Sequence, residues 1–401
     1  MNDDRSPADN SQESSGTRFT ETSTRSWGSN IASSFSGMLV GLVLILVGLG
    51  LMWWNEGRTV ERYNTLQEGL GAVVEAPMDR IDPAQENRLI HLTGETRVNG
   101  ELADSVFGVT SHAVRMRREV AMFQWVEKKH EETRKQTGGS SETVTTYEYV
   151  KEWSGQLQKS GQFRHPVGHD NPADLLYASQ EYTATDVRLG RRVLSAALIE
   201  QISDFKRLEL TPGMMSAKRL PRNAQLHDGG IYLGRDPGQP AIGEMKITFQ
   251  IANPGPVSVV ARQTGESFTP FPTRTGQTIE MLHSGLRDAQ AMFAAEEREN
   301  AILAWILRGV GWLCLWIGFA LIFSPLRALG DVLPFLGDLI GVGTGLFSLV
   351  LSLMLSLITI SVAWLVYHPL IAGGGLLLAL LLLLGTHRLG RSKTGTARSR
   401  S

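Results

Sequence analysis

The 401-residue chain has very little cysteine and, over one long stretch, no charge. Cys314 is its only cysteine, so no intramolecular disulfide and no zinc site built from several thiolates can form. The net charge is −1 and no basic stripe with interleaved aromatic residues occurs, which argues against nucleic acid as a partner. From Leu339 to Thr386 there is no Asp, Glu, Lys or Arg. As one helix this stretch would be about 72 Å long, more than twice a hydrocarbon core of about 30 Å.

Apolar runs of this kind predict an α-helical membrane protein with four transmembrane helices. The long uncharged stretch breaks at Tyr367-His368-Pro369, because proline lacks a backbone donor and disfavours helix in the residue before it. The predicted spans are 35–54, 301–323, 339–366 and 370–386. Arg308 is the one charge in the second span, and its long side chain is expected to reach the interface.

The tail that follows the last span is basic, whereas the loop at His368 carries no Lys or Arg. The positive-inside rule therefore predicts that both termini are cytoplasmic and that residues 55–300 lie on the lumenal or periplasmic side. Residues 1–34 are polar and poor in large apolar side chains, which predicts a disordered cytoplasmic tail. Residues 324–338 are expected to form a short cytoplasmic loop and residues 387–401 a basic cytoplasmic tail.

Residues 55–300 read as a β-rich α+β domain. Val120–Glu127 and Val144–Trp153 are rich in aromatic and β-branched residues and predict a hairpin with a long polar tip. Alternation over Met245–Ile251 and Val257–Ala261 predicts a second strand pair, joined by a turn at 253–256.

Two segments of the same domain show helical spacing. Apolar residues between Val193 and Phe205 predict a helix, with Asp186 as its possible cap. The pattern from Asp288 to Asn300 is also helical, and this helix is expected to continue into the second span.

Five short strings, in order from residue 54 to residue 370, resemble the LUMA family of four-pass membrane proteins of the inner nuclear membrane type. The strings are WNEGR at 54–58, MFQWVE at 122–127, GHDNP at 168–172, VARQ at 260–263 and WLVYHPL at 364–370. The motif residues singled out are Trp54, Asn55, Glu56, Gly57, Arg58, Gln124, Trp125, Glu127, Gly168, His169, Asn171, Pro172, Arg262 and Gln263.

The resemblance implies a membrane scaffold that organises protein complexes in the nuclear envelope and self-associates through its spans. It implies no catalytic residue and no cofactor. The expected partners are the lipid bilayer, other membrane proteins and further copies of the chain. The domain contains no cysteine and no Asn-x-Ser/Thr sequon, which suits a bacterial periplasm. The compartment is then the bacterial inner membrane, or the endoplasmic reticulum and inner nuclear membrane in a eukaryote.

Small residues in the spans suggest close helix contacts. Gly37 and Gly41 form a GxxxG pair, and Gly341 and Gly345 begin the third span. Small residues four apart let helix backbones approach closely, either between copies of the chain or within one bundle.

Two polar clusters have a functional reading and a structural one. His165 and His169 with Asp170 could be proposed as a metal pair, but a zinc site needs a third ligand, and the surrounding Gly and Pro residues favour a turn. Glu56 and Arg58 could bind lipid head groups or the domain, or simply mark the membrane boundary as solvated charges.

No nucleophile elbow, P-loop, dinucleotide fingerprint or HExxH helix occurs, so no enzyme is predicted. The favoured function is a non-catalytic membrane scaffold that oligomerises. The alternative is an oligomeric channel lined by span hydroxyls such as Ser352, Ser356, Thr359 and Ser361.

Overall fold

The computed structural model describes residues 12–14, 17–136, 139–214, 220–330 and 334–364, with 373–374, 377–378 and 380–381. Its helices are α1 (Trp27–Ala72), α2 (Ala196–Glu200), α3 (Ala289–Ile322), α4 (Ser324–Gly330) and α5 (Pro334–Trp364). Short 3-10 turns occupy Pro83–Gln85, Ser160–Gln162 and Pro212–Met214.

Within these described residues, three helical segments are long and apolar enough to cross a membrane. They are Trp27–Ala72, Ala289–Leu329 and Ile340–Trp364, which contain the first two predicted spans and most of the third. Most of the predicted fourth span, 370–386, lies outside the described residues.

Two of the membrane helices are much longer than a bilayer requires. Helix α1 begins where the Ser26 side chain accepts a hydrogen bond from the Ser29 backbone N–H, and α3 begins where Asp288 accepts one from Ala291. With 46 and 34 residues, they are about 69 and 51 Å long. The prediction that the helix starting after Asp288 runs on into the second span is confirmed. The residues predicted as the loop 324–338 contain α4 and the start of α5.

The β-rich domain is built around two sheets. The larger has nine strands, in the order β1-β2-β8-β7-β15-β14-β13, with β12 beside β15 and β9 beside β7. These strands are β1 (Gln12–Ser14), β2 (Arg18–Arg25), β7 (Arg115–Lys135), β8 (Ser141–Ser154), β9 (Gln180–Thr183), β12 (Lys206–Leu208), β13 (Ala224–His227), β14 (Gly230–Leu233) and β15 (Met245–Ala252).

The second sheet has seven strands, in the order β20-β16-β17-β11-β10-β4-β3, and β16 also pairs with β4. These are β3 (Val74–Glu75), β4 (Leu89–Val98), β10 (Val187–Leu189), β11 (Arg192–Val193), β16 (Pro256–Thr264), β17 (Ser267–Thr269) and β20 (Met281–Ser284). Two further ribbons pair β5 (Leu102–Ala103) with β6 (Thr110–Ser111) and β18 (Phe271–Pro272) with β19 (Thr278–Ile279).

The domain sits directly on the long helices. Leu66 of α1 and Met292 and Phe293 of α3 are buried against Val260 and Met281 of the seven-stranded sheet. Each sheet also has its own buried apolar cluster. The hydrophobic core of the domain therefore continues into α1 and α3, which come from the membrane bundle.

The first predicted hairpin is confirmed, since β7 and β8 pair in register from Met122 opposite Ser154 to Lys135 opposite Ser141. The second predicted strand pair is wrong in its pairing. Strand β15 lies between β7 and β14 in one sheet, while β16 lies beside β4 and β20 in the other. At the turn between them, Thr96 of β4 exchanges hydrogen bonds with the Gly255 backbone. The chain therefore crosses from one sheet to the other instead of folding back.

The helix predicted between Val193 and Phe205 is confined to α2. Ser195 caps it by accepting a hydrogen bond from the Leu198 N–H. Asp186 is not the cap, because its carboxylate binds Asn99 and Arg188. The apolar spacing that resembles one helix comes from two elements, the end of β11 and the single turn of α2.

The prediction that residues 1–34 form a disordered tail is wrong for 18–25. Strand β2 pairs with β8 from Arg18 opposite Glu148 to Arg25 opposite Ser141. A polar strand between β1 and β8 needs backbone partners more than an apolar run, and its alternating Thr residues suit a strand. The pairing joins the segment before the first span to the domain after it, so residues 18–25 are not a free tail.

Candidate functional site

A buried ion pair connects three membrane helices. Both carboxylate oxygens of Glu56, on α1, accept hydrogen bonds of 2.7 Å from Arg308 on α3. Trp364, at the end of α5, donates its indole N–H to the same carboxylate. The Glu56 side chain is 2% exposed and that of Arg308 is 14% exposed. One carboxylate therefore holds α1, α3 and α5 together.

This geometry corrects two predictions. Arg308 does not extend alone to the interface, because its guanidinium is bound to Glu56 and lies over the rings of Trp305 and Trp364. Glu56 is not a solvated boundary charge, since it is almost fully buried. Arg58, two residues after Glu56 in the same motif, points toward α3 and donates a hydrogen bond of 3.0 Å to the Asn300 side chain. Isolated spans cannot show such pairing, because the partners are about 250 residues apart.

Polar contacts continue from this ion pair toward the domain, along the stalk, by which we mean residues 55–72 of α1 and 289–304 of α3. Asn55 donates to the carbonyl of Ala304, and Asn300 donates to the carbonyl of Thr59. One turn further on, Arg62 is 2.7 Å from Glu296.

Glu296 also links the stalk to the domain. Its second carboxylate oxygen lies 3.2 Å from Nε2 of His283, on β20. The stalk is therefore bonded to the seven-stranded sheet by polar groups as well as by its apolar core.

Glycines bring α1 and α3 into direct backbone contact. A Cβ added to Gly41 would lie 2.6 Å from the carbonyl oxygen of Gly318, and one added to Gly318 would lie 2.8 Å from that of Gly41. Gly48 and Gly311 face each other in the same way. The packing predicted for Gly41 is thus within one chain, and its partners on α3 were not predicted.

The other glycines predicted to pack behave differently. A Cβ added to Gly37 would lie 3.7 Å from the side chain of Leu321, which is an ordinary contact distance. Gly341 faces the side chain of Arg327. A Cβ at Gly345 would meet nothing within 4 Å. Of these two glycines of α5, only Gly345 therefore leaves space on the helix surface.

Two of the family strings meet at the base of the β7–β8 hairpin. The Asn171 side chain accepts from the Trp125 N–H and donates to the Trp125 carbonyl, as a neighbouring strand would. Gln124 is fully buried and binds the backbone of Gln156 and Gln158. Asn171 thus satisfies the backbone N–H and carbonyl that β7 would otherwise offer to a further strand at Trp125.

Neighbouring motif residues form an aromatic cluster. The ring of His169 stacks on Tyr149 at 4.0 Å and meets Trp125 edge-on at 4.8 Å. Glu127 accepts from the Tyr149 hydroxyl, and this bond, together with the larger effect of burial, raises the pKa of Tyr149 well above its usual value. His165 stacks on Phe19 of β2. Among the described residues no group of three or more metal ligands comes together, and both histidines serve the turn and its packing.

The remaining motif residues are structural in their placement. Gln263 is buried and accepts from Arg192, while Arg262 binds Thr269 within the same sheet. Gly168 has φ +82°, a conformation that favours glycine. Pro172 packs against Gly243. Trp54, Gly57 and Gly168 are the exposed motif residues.

A further buried ion pair inside the domain was not predicted. Asp104, fully buried, binds the guanidinium of Arg118 and accepts from the Tyr182 hydroxyl at 2.8 Å. Burial and this hydrogen bond raise the pKa of Tyr182 to about 12. The residues are 14 and 78 positions apart in sequence, so no local pattern shows the cluster.

Hydroxyls of the third span face the bundle of the same chain. Ser348, Ser352, Ser356 and Ser361 are buried. Ser348 and Ser356 donate to backbone carbonyls one turn earlier in α5. These four serines therefore do not face outward, where they could line a channel between copies of the chain.

These features define an integral membrane protein with a large extramembrane domain. They are the long apolar helices, the two-sheet domain that packs on two of them, and the ion pair within the bundle. A family model described as transmembrane protein 43 matches residues 122–369. The chain belongs to this family, which is the LUMA family that the sequence motifs indicated.

Curated relatives cover most of the chain. The human transmembrane protein 43 is 35% identical over 353 residues, covering 85% of this chain and 86% of that protein. The rat protein is 34% identical over 354 residues, with the same coverage. A Drosophila melanogaster homolog is 30% identical over 350 residues, covering 85% of this chain and 91% of its own length. No solved structure matches the chain.

Proposed function

We propose that the chain is a non-catalytic membrane scaffold that oligomerises through its spans and presents its domain to other membrane proteins. The observation that supports this most is the stalk, in which α1 and α3 run from the bundle into the domain without a break. A domain fixed in this way holds a defined height and orientation above the lipid. Such an orientation suits the assembly of partners in one plane.

The proposal includes the membrane in which the chain acts and its topology. We place it in the inner nuclear membrane and endoplasmic reticulum of a eukaryote, or in the bacterial inner membrane, with a cytoplasmic C-terminus. The basic residues beyond Thr386 support that orientation. They lie outside the described residues.

The surface for self-association is proposed on α5. Gly343 is exposed and a Cβ there would meet nothing within 4 Å, and Val342, Leu346 and Phe347 beside it are exposed as well. Helices associate in lipid through small residues that allow close approach. Gly41 and Gly318 already pack against each other, whereas Gly343 is open and lies among exposed apolar side chains of α5.

Chemical cross-linking of the full chain in native membranes tests this proposal. We expect dimers or larger species, and we expect Gly343→Leu to reduce their yield without changing thermal stability. The matched control is Gly50→Leu, at a glycine of α1 that also has nothing within 4 Å and should leave the yield unchanged. A strictly monomeric wild-type chain that retains no partner protein would contradict the scaffold.

A further inference from the structure

A cavity of about 380 Å³ lies beside the stalk, between α1, α3 and the end of α5. Its walls include Thr59 and Tyr63 of α1, Glu297 and Asn300 of α3, and Trp364 of α5. Val60 and Ala301 add apolar surface. The cavity thus combines an aromatic and aliphatic wall with a polar rim.

The cavity lies at the depth of lipid head groups. Trp53, Trp54 and Trp305 are more than half exposed, and exposed tryptophans mark the boundary between hydrocarbon and head groups. Thr59 and Tyr63 are five and nine residues beyond Trp54 along α1, which is about 8 and 14 Å. The head-group layer extends about 5–8 Å beyond the hydrocarbon core on each side. The end of the cavity near Thr59 is therefore level with the outer part of that layer, where the ammonium end of a head group lies, and Tyr63 is beyond it.

The charge of the cavity selects the kind of head group. Among the described residues, Glu297 is the only charged one in its wall. It is half-buried and accepts a hydrogen bond from Gln67. The nearby Arg308 is already bound to Glu56. Tyr63 and Trp364 add aromatic rings, and aromatic rings beside a carboxylate attract ammonium groups. Arg58 donates to Asn300 of the same wall and provides a partner for a phosphate, so it is the lack of an ammonium group in an anionic head group, and not its phosphate, that would leave Glu297 without a cation.

We propose that this cavity binds the ammonium group of a zwitterionic phospholipid, with Glu297 as its counter-ion and Tyr63 and Trp364 beside it. The acyl chains of the lipid would extend along the exposed apolar surface of α3. This inference goes beyond the scaffold proposal, because a monomeric chain would bind the lipid equally well.

Native mass spectrometry of the delipidated full chain in detergent tests the site. The probes are phosphatidylcholine, phosphatidylethanolamine and phosphatidylglycerol with identical acyl chains. We expect one site with a Kd at least about fivefold lower for the two zwitterionic lipids than for phosphatidylglycerol, as one charge-assisted contact allows. Glu297→Gln should remove this preference. The matched control Glu299→Gln, at an exposed carboxylate of the same helix, should preserve it.

A second variant separates a specific site from lipid that merely surrounds the helices. Ala301→Trp fills the cavity and should abolish the selective site, while non-selective lipid adducts persist. Circular dichroism checks that this variant is folded. Equal affinity for all three lipids, or a preference that survives Glu297→Gln, would overturn the proposal.

Discussion

The ion pair between Glu56 and Arg308 gives the sharpest prediction, because its two partners are buried to different degrees. Replacing Arg308 by Met leaves a carboxylate that is 2% exposed with the Trp364 N–H as its remaining side-chain donor among the contacts described above. Removing one partner of a buried pair costs about 3–5 kcal/mol. We expect a loss in that range in the free energy of unfolding.

Replacing Glu56 by Gln should cost less. The Gln side chain still offers an oxygen to Trp364, and Arg308, at 14% exposed, can extend its long side chain toward the interface. We expect a loss of about 2–3 kcal/mol for this variant. In the double variant no charge is left unpaired, so its loss should be smaller than the sum of the two single losses by at least about 1.5 kcal/mol.

The assay is equilibrium unfolding of the purified full chain in mixed micelles with rising SDS content, followed by tryptophan fluorescence. Arg298→Met, at an exposed arginine of the same helix, is the matched control and should change the unfolding free energy by less than about 0.5 kcal/mol. Losses that add within about 0.5 kcal/mol in the double variant would refute the reasoning. Additivity would mean that the two charges do not stabilise each other.

Three further predictions concern other parts of the chain. Gly318→Val should destabilise the bundle by about 1–3 kcal/mol through overpacking, whereas Gly343→Val should not, as the same SDS titration would reveal; equal effects would contradict the backbone contact. The wild type should lose stability as pH rises from about 10 to 12, because folding favours protonated Tyr182; urea unfolding of Tyr182→Phe should show less of that loss, and an identical slope would speak against it. Cysteines at Thr20 and Thr146, opposite each other, should form a disulfide in a cysteine-free background; persistence of free thiols under oxidant would exclude the β2–β8 pairing.

Sequence patterns predicted those features of the fold that depend on local properties. Apolar runs without charge mark helices because lipid tolerates little else, and alternation marked β15 because its alternate residues are buried. Strand β16 alternates in sequence although all residues of 257–261 are buried. The same patterns gave the wrong partner for β16, since proline and glycine at 253–256 indicate a turn but not the sheet to which the chain returns. Pairing depends on β4, more than 150 residues away.

The candidate site was predictable in its residues but not in its chemistry. Glu56 and Arg308 were visible in the sequence as charges beside or within apolar runs. Taken alone, each is most simply interpreted as a charge at the interface between membrane and water. Only folding shows that α1 and α3 are adjacent and in a register that brings the two side chains together. The glycine contacts have the same origin, because Gly41 signals close packing but carries no information about Gly318.

The domain touches the membrane bundle in two places, and the two differ in what they require of the surroundings. Along the stalk, α1 and α3 contact each other and the seven-stranded sheet of the same chain. The second contact is the hairpin tip, where Asn30 donates to the carbonyl of Gly139 at 3.0 Å and Trp27 packs on the same glycine. From Phe123 to Lys135 the hairpin extends about 40 Å, nearly the length of α1 from Trp27 to Asn55, about 42 Å.

A hairpin of that length beside the bundle has a direct consequence for assembly. Residues 127–135 are almost all charged or polar, and an unpaired strand edge does not occur in contact with hydrocarbon. When the tip is bound to Trp27, the hairpin must therefore be covered by water or by protein over the height of the spans. Neighbouring copies could provide that cover, whereas a single chain surrounded by lipid could not. The stalk contacts should thus be independent of oligomeric state, and the contact between Asn30 and Gly139 should depend on it.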